Sequence, residues 1–378
     1  MLWEDNNIAE KPDSLQGMRA PDYSGGGLVN LAAELEFRLR GDNLAPRLYP
    51  DLAATIPDAA TYVVTLFDGL GDLQLSHPNA AELRRYRKAA LDAAFSTQTT
   101  VNLATLATAT PPSVHGLVAY LLRMSDRVVN TIWWFDLDGS PVNTDFTAFL
   151  PGPNLPERLA GDGIETFVIQ PDGYQGSPLS EVLFRTGTAL SYQNDEEAIP
   201  LALEAASEPG RFVFLYLPHV DAAGHAEGQD SDSYSAMMKL VAAGWAELAA
   251  ALPDHAVAIG TADHGHVDVP PEGKLHLTPP EGVILHGDSR CVWVAGDLEA
   301  ARRMAADLPV KWVDRTEMTG WWGPEPVTGP AAARLPGAAM LAEHEVALHY
   351  PGNDVELVGY HGGITPQELH VPLLVAQP

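Results

Sequence analysis

Two spacings of apolar residues alternate along the chain. In LVNLAAELEFRLR, Leu28–Arg40, they recur every three or four positions, which draws one apolar stripe along a helix. TYVVTLF, Thr61–Phe67, is instead an unbroken β-branched and aromatic run ending at Asp68-Gly69, as strands buried on both faces do. Further strands are predicted at IETFVIQ (164–170), FVFLYL (212–217) and AVAIGTA (256–262), with helices over 80–94 and 233–251. Strands alternating with helices predict an α/β fold, a doubly wound and mostly parallel central sheet with helices on both faces. From 270 to 352 the texture changes. Pro and Gly become frequent, and a strand at 291–296, a helix at 300–308 and a strand at 310–315 make a β-α-β unit. These residues predict a small inserted α+β cap, 270–352, on a core formed by 1–269 and 353–378, to which VPLLVA returns as a last strand.

With 46% apolar residues in 378, the chain can bury a sizeable core. Fifty Asp and Glu against 22 Lys and Arg give a net charge of −28. That charge repels phosphate backbones, so a nucleic-acid polymer is not expected as a partner, and an anionic substrate needs positive charge from bound cations. The single cysteine, Cys291, allows neither an intrachain disulfide nor a thiolate zinc cage. The opening MLWEDNNIAEKPD is acidic where a secretory signal is basic, and nowhere do 18 apolar residues run in succession. A cytoplasmic protein without a membrane partner is expected. There is no G-x-G-x-x-G and no P-loop, which leaves nicotinamide and P-loop chemistry without support.

In doubly wound sheets ligands bind beyond the carboxyl ends of the strands. Asp68, Asp221 and Asp263-His264 all follow predicted strand ends. Asp221 and His225 stand four apart in HVDAAGHAEG, a spacing that brings both to one ion, and His361 sits in a YHGG turn. Taken singly, each is more ordinary: a helix cap, a surface turn, a solvent-facing imidazole. Together, three Asp and three His form the mixed carboxylate and imidazole sets that Zn²⁺ or Mn²⁺ accept when thiolates are absent, enough for two ions with three ligands each. Thr97, Thr99, Thr100, Thr105 and Thr108 surround the start of a predicted helix, where the macrodipole favours a developing alkoxide and a bound phosphate. Methyl packing and N-capping are the alternatives for these threonines. Trp133-Trp134-Phe135 are placed either to wall a pocket for a planar leaving group or to pack the core.

Five blocks in order, VVTLFDGLG, STQTTVNLATLATATPPSVHGL, YLPHVDAAGH, IGTADHG and HGGITPQELHVPLL, resemble the alkaline phosphatase superfamily, and within it the nucleotide pyrophosphatase/type I phosphodiesterase branch. The resemblance runs from residue 61 to 378. It implies a metal-dependent phosphohydrolase, most similar to phosphodiesterases acting on small phosphate esters such as nucleotides through a phospho-threonine intermediate. It also implies one divalent ion held by Asp68, Asp263, His264 and the nucleophile Thr99, the residue sixteen positions before His115-Gly116. A second ion, Zn²⁺ or Mn²⁺ like the first, is implied on Asp221, His225 and His361. Where related chains carry an Asn after His-Gly that contacts the phosphoryl oxygen, this one has LVAYLLR, so Tyr120 and Arg123 are the substrate-binding candidates along with Trp133 and Trp134. His266 replaces a Met usual after TADHG and is expected to hydrogen-bond behind the ligands. No C/S-x-P-x-R occurs, which disfavours a sulfatase. Phosphomonoester or phosphonate hydrolysis on the same scaffold stays open, as does a non-catalytic metal-binding scaffold. A phosphomutase would need a large insertion after the nucleophile and several Lys or Arg.

Overall fold

The computed structural model describes residues 19–125, 127–142, 149–150, 152–353 and 355–378; the acidic opening segment read above, 1–13, lies outside them. A seven-stranded sheet forms the centre, in the order Arg87–Asp92, His370–Ala376, Ala256–Thr261, Thr61–Phe67, Arg211–Leu217, Glu165–Pro171, Thr188–Tyr192. Thr61–Phe67 pairs in parallel with both neighbours, and only the C-terminal strand runs against the others. Every residue of Thr61–Phe67 is buried, which is why that run is apolar throughout rather than alternating. Register aligns the strand ends: Phe67 lies opposite Leu217 and Leu66 opposite Thr261. The residues that follow these three strands therefore emerge together at one edge.

The segment 80–94 departs from its predicted helix. Only Ala81–Tyr86 is helical, and Arg87–Asp92 forms an edge strand antiparallel to the C-terminal strand, Val371 opposite Leu91. Its local composition favours helix, but pairing with a strand nearly three hundred residues away outweighs that small preference. Arg87 and Lys88 blunt the exposed edge.

A second seven-stranded sheet, entirely antiparallel, orders Val310–Asp314, Ala338–Ala342, Cys291–Gly296, Val283–Gly287, Leu121–Met124, Arg127–Asn130 and Phe135–Asp136. It is not confined to 270–352, because three of its strands come from 121–136. Strand Cys291–Gly296 shows how it is seated. Cys291 and Trp293 join the main core, whereas Val292 and Val294 face the other way into a smaller cluster with helix Leu298–Ala305. Among the described residues no helix is long and apolar enough to cross a membrane.

Candidate active site

Asp68 directly follows Thr61–Phe67, and its N–H donates to Leu217 O at 3.0 Å while its carbonyl accepts from Asp221 N–H at 3.0 Å. Two backbone bonds thus lock neighbouring strand ends together before any side chain is considered. Gly69, at φ +72°, permits this approach: a Cβ there would fall 2.9 Å from the Cα of Asp221. Asp221 opens helix His219–Glu227, and His225 follows one turn later on the same face.

Two groups of ligand-type side chains result, Asp68, Asp263 and His264 in one, Asp221, His225, His266 and His361 in the other, each with its ligand atoms within 4.8 Å of one another. In the first, Asp68 Oδ2 accepts from the Tyr216 hydroxyl, and Asp263 Oδ1 accepts from the N–H groups of Gly69 and His264 at 3.2 and 3.1 Å. The remaining oxygens, Asp68 Oδ1 and Asp263 Oδ2, are buried without a hydrogen-bond partner. They lie 3.5 and 3.4 Å from His264 Nε2. Thr99 Oγ1 lies 3.2 Å from the same nitrogen. Orphaned buried carboxylate oxygens carry a large desolvation cost. A divalent cation between them removes it, and the donor set fits such an ion.

In the second group His225 Nδ1 faces Gly359 O at 2.8 Å and His361 Nδ1 faces Thr97 O at 2.8 Å. An Nδ1–H donating to a carbonyl leaves Nε2 bare and turned inward, the form in which imidazole ligates. Asp221 Oδ1 is 3.2 Å from His225 Nε2, 2.8 Å from His266 Nε2 and 3.9 Å from His361 Nε2. The two groups abut: the His264 and His361 rings stack with centroids 3.5 Å apart.

Electrostatics agree with the geometry. Burial, then the neighbouring Asp263 and Asp221 charges, push the Asp68 carboxyl well above the usual range, and burial and Asp221 push Asp263 up to about 7. Asp221 goes the other way: burial works against its charge, but His225, His266 and His361 around it prevail and hold its carboxyl below the ordinary range. Burial and a neighbouring ring lower His264 strongly, and His361 to about 3, so both are neutral at physiological pH. Two buried carboxylates, Asp68 and Asp263, beside a third at Asp221 form a site that divalent charge completes.

Thr99 opens helix Thr99–Thr108, so its hydroxyl stands at the positive end of the helix dipole. The other threonines of this stretch are engaged elsewhere or turned away. Thr97 Oγ1 bonds Gly363 O and Gly362 N–H, and Thr105 and Thr108 bond carbonyls one turn back. Thr100 Oγ1 is buried without a partner. Beside Thr99 lies a cavity of about 40 Å³ walled by Leu103, Ile132, Tyr174, Phe184, Phe214 and Tyr216.

The four substrate-binding candidates from the sequence are placed unequally. Tyr120 is half-buried, its N–H bonded to Gln98 Oε1 and its hydroxyl accepting from Asn130 Nδ2 at 2.7 Å. Arg123 lies on strand Leu121–Met124 near His286, and among the described residues no hydrogen bond or ion pair ties it to either group. Trp133 is exposed. Trp134 is 2% exposed and packs edge-on against Phe149 at 4.6 Å, within the main core. Ile132, one position before Trp133, lines the cavity instead. Tyr216, Tyr174 and Asp288 were not singled out from the sequence. Tyr216 sits within a strand that reads as core, and Asp288, from the second sheet, lies against Gly362.

The model of the family "type I phosphodiesterase / nucleotide pyrophosphatase" matches residues 62–283, well over half the chain. The chain belongs to that family. It is an alkaline phosphatase superfamily member of the nucleotide pyrophosphatase branch, a family of metal-dependent enzymes, and a hydrolase of phosphate ester bonds. No protein of curated description matches its sequence. Its fold is similar to murine ectonucleotide pyrophosphatase/phosphodiesterase 5, at 18% identity, covering 84% of this chain and 88% of that one with a TM-score of 0.67. An inactive form of the murine protein, in complex with AMP, matches at 17% identity over 84% and 88% of the two chains with a TM-score of 0.65. Phosphonoacetate hydrolase from Sinorhizobium meliloti 1021, in complex with phosphonoacetate, matches at 16% identity over 85% and 90% with a TM-score of 0.62.

Proposed function

We propose that this protein is a phosphodiesterase or nucleotide pyrophosphatase that works through a phospho-threonine on Thr99 at a two-cation site. The observation that carries the reading is the convergence of Asp68 Oδ1, Asp263 Oδ2 and Thr99 Oγ1 on His264 Nε2, all within 3.5 Å of it, against a second group of ligands. Asp68, Asp263 and His264 with Thr99 would hold one cation, and Asp221, His225 and His361 the other. Two divalent ions, Zn²⁺ or Mn²⁺ by donor type, would supply Lewis-acid stabilisation of phosphoryl charge and acidify a hydroxyl or water.

The residues of the chain do the rest. Thr99 Oγ1 attacks phosphorus in line, and the helix N-terminus behind it stabilises the charge on the phosphoryl oxygens. The leaving alcohol or phosphate departs with the proton that Thr99 gives up, the phosphoryl group keeps its other ester on the phospho-threonine, and water then hydrolyses the Oγ1–P bond and restores the hydroxyl. Tyr216 steadies Asp68 from behind. The carbonyls of Gly359 and Thr97 keep His225 and His361 in one tautomer. The cavity lined by Ile132, Tyr174 and Phe184 offers an apolar wall to a planar leaving group such as a nucleoside.

The test compares rates on a nitrophenyl nucleotide diester, a nitrophenyl monoester and phosphonoacetate with added Zn²⁺ or Mn²⁺. Diester is expected fastest; faster turnover of the monoester or phosphonate reassigns the substrate class. Thr99→Ala is expected to lower turnover by at least about 10³-fold with metal content intact. Acid-quenched wild-type protein turning over the diester should carry the phosphoryl group, still esterified to its nucleoside, on the peptide containing Thr99. Undiminished turnover in Thr99→Ala rejects the nucleophile, and no turnover of any ester with metal present favours a non-catalytic scaffold.

A further inference from the structure

We propose that His266 is a fourth protein ligand of the second cation, which makes the two cation sites unequal. One site is then three histidines and one aspartate; the other is two aspartates, one histidine and the Thr99 hydroxyl. The proposal rests on the two-cation reading above and adds a ligand to it.

Reach is the first argument. Ligands about 2.0–2.1 Å from a tetrahedral ion are separated by roughly 3.3 Å. The nitrogens of His225, His266 and His361 stand 3.2, 2.8 and 3.9 Å from Asp221 Oδ1, values that straddle that edge length. All four ligand atoms lie within 4.8 Å of one another, so His266 stands among the ligands rather than behind them. Its ring also lies 4.8 Å from that of His225 and 5.5 Å from that of His361, centroid to centroid.

The second argument is the room kept for the ring. A Cβ at Gly224, in the helix that carries Asp221 and His225, would fall 2.3 Å from His266 Nδ1, and one at Gly359 would fall 2.9 Å from it. Two glycines on separate segments leave the space that the imidazole fills, and a side chain at either would drive the ring off the site.

A nitrogen-rich set favours Zn²⁺ over Mn²⁺ or Mg²⁺, whereas the carboxylate-rich set accepts harder ions. Of the two four-donor sets, only the Asp221 set has no neutral hydroxyl among its donors, so it would hold Zn²⁺ more tightly than the set that includes Thr99. The two sites should therefore load in order, the Asp221 site first.

Zinc titration of chelator-stripped protein, followed by calorimetry, and the visible absorption of Co²⁺-loaded protein test this. The wild type is expected to show one tight and one weaker ion, with the first Co²⁺ giving the intense absorption of a four-coordinate site. His266→Ala should weaken the tight class by more than about 100-fold, beyond the 10- to 100-fold typical of losing a residue behind a ligand. His266→Gln, which keeps an N–H donor toward Asp221, should lose as much and dim the Co²⁺ bands equally. Thermal unfolding of the stripped proteins checks that the variants are folded. Wild-type affinity and spectrum in His266→Gln would overturn the proposal and leave His266 as a hydrogen-bonding residue. A wild type that binds no divalent ion would overturn the two-cation reading itself.

Discussion

Arg290 and Glu368 form an ion pair in which both side chains are wholly buried, with Nε and Nη2 each 3.3 Å from a carboxylate oxygen. Arg290 belongs to the second sheet region and Glu368 to the short helix Pro366–Leu369, five residues beyond His361 at its start. Glu368 also accepts from Gly363 N–H at 2.8 Å and from Thr365 Oγ1 at 2.7 Å, so it organises the turn behind a ligand histidine. Burial alone would raise the Glu368 carboxyl, but Arg290 and these donors outweigh it and hold it below the usual range. Arg290→Met keeps apolar bulk but strands a buried carboxylate, and losing one partner of such a pair costs about 3–5 kcal/mol. The pH dependence follows from the signs. In the wild type the folded value lies below the unfolded value of about 4.3, so this contribution is present above that pH and lost as pH falls through the folded value. Without Arg290 burial dominates, the folded value rises above the unfolded one, and stability drains away as pH increases. Urea unfolding should therefore show a gap between wild type and variant that is widest near pH 7.5 and narrows toward pH 4. Arg290→Met/Glu368→Met should recover much of the loss, since both charges then leave together. A single variant within about 1 kcal/mol of wild type at pH 7.5, or a double variant no better than the single, refutes the reasoning.

Tyr216→Phe removes the donor to Asp68 Oδ2 and should weaken zinc binding about 10- to 100-fold, read by competition with a chromophoric chelator; unchanged affinity would show that Tyr216 only packs. Trp245, wholly buried with Phe67 at 5.9 Å and Tyr86 at 5.8 Å, should cost about 3–5 kcal/mol on truncation to Ala in denaturant unfolding, with KM unaltered in the folded fraction. In chelator-stripped protein the Asp263 carboxyl titrates near 7, above its unfolded value of about 3.9. The stability it contributes is thus present below about pH 4 and lost as pH rises through 7, and Asp263→Asn should flatten that slope in unfolding midpoints measured against pH. Chelation should abolish ester hydrolysis, and Zn²⁺ or Mn²⁺ should restore it; activity that survives exhaustive chelation contradicts a metal-dependent site.

Much of the central sheet was legible because its strands are apolar runs ending in Asp or Asp-His, and full burial leaves little choice of residue there. The ligand-type residues were legible for the same reason, since polar groups placed at the ends of such runs need partners. Arg87–Asp92 was not, because its neighbour in the sheet lies at the far end of the chain and its own composition suits a helix. The second sheet was only half visible: strands Leu121–Met124 and Arg127–Asn130 are four residues each, too short for a periodic pattern, and join it through a single pair, Gly287 with Leu121. Among five threonines the sequence could not choose by chemistry alone; the hydrogen bonds that occupy Thr97, Thr105 and Thr108 are tertiary or local facts that spacing does not encode. Tyr216 and the Arg290–Glu368 pair escaped notice because a buried polar residue looks like its apolar neighbours until its partner is seen.

Trp293 and Trp322 meet edge to face at 5.8 Å, and Trp322 meets Phe95 in the same way at 5.4 Å, three residues before the N-cap of the Thr99 helix. Swinging the antiparallel sheet outward as a hinged flap would bare these rings to water, a loss of several kcal/mol with nothing gained in return. Reactants therefore enter and leave past a fixed rim, and changes in what this chain accepts fall to the short connections along that rim, around Asn130–Phe135 and Asp288, rather than to any motion of the sheet.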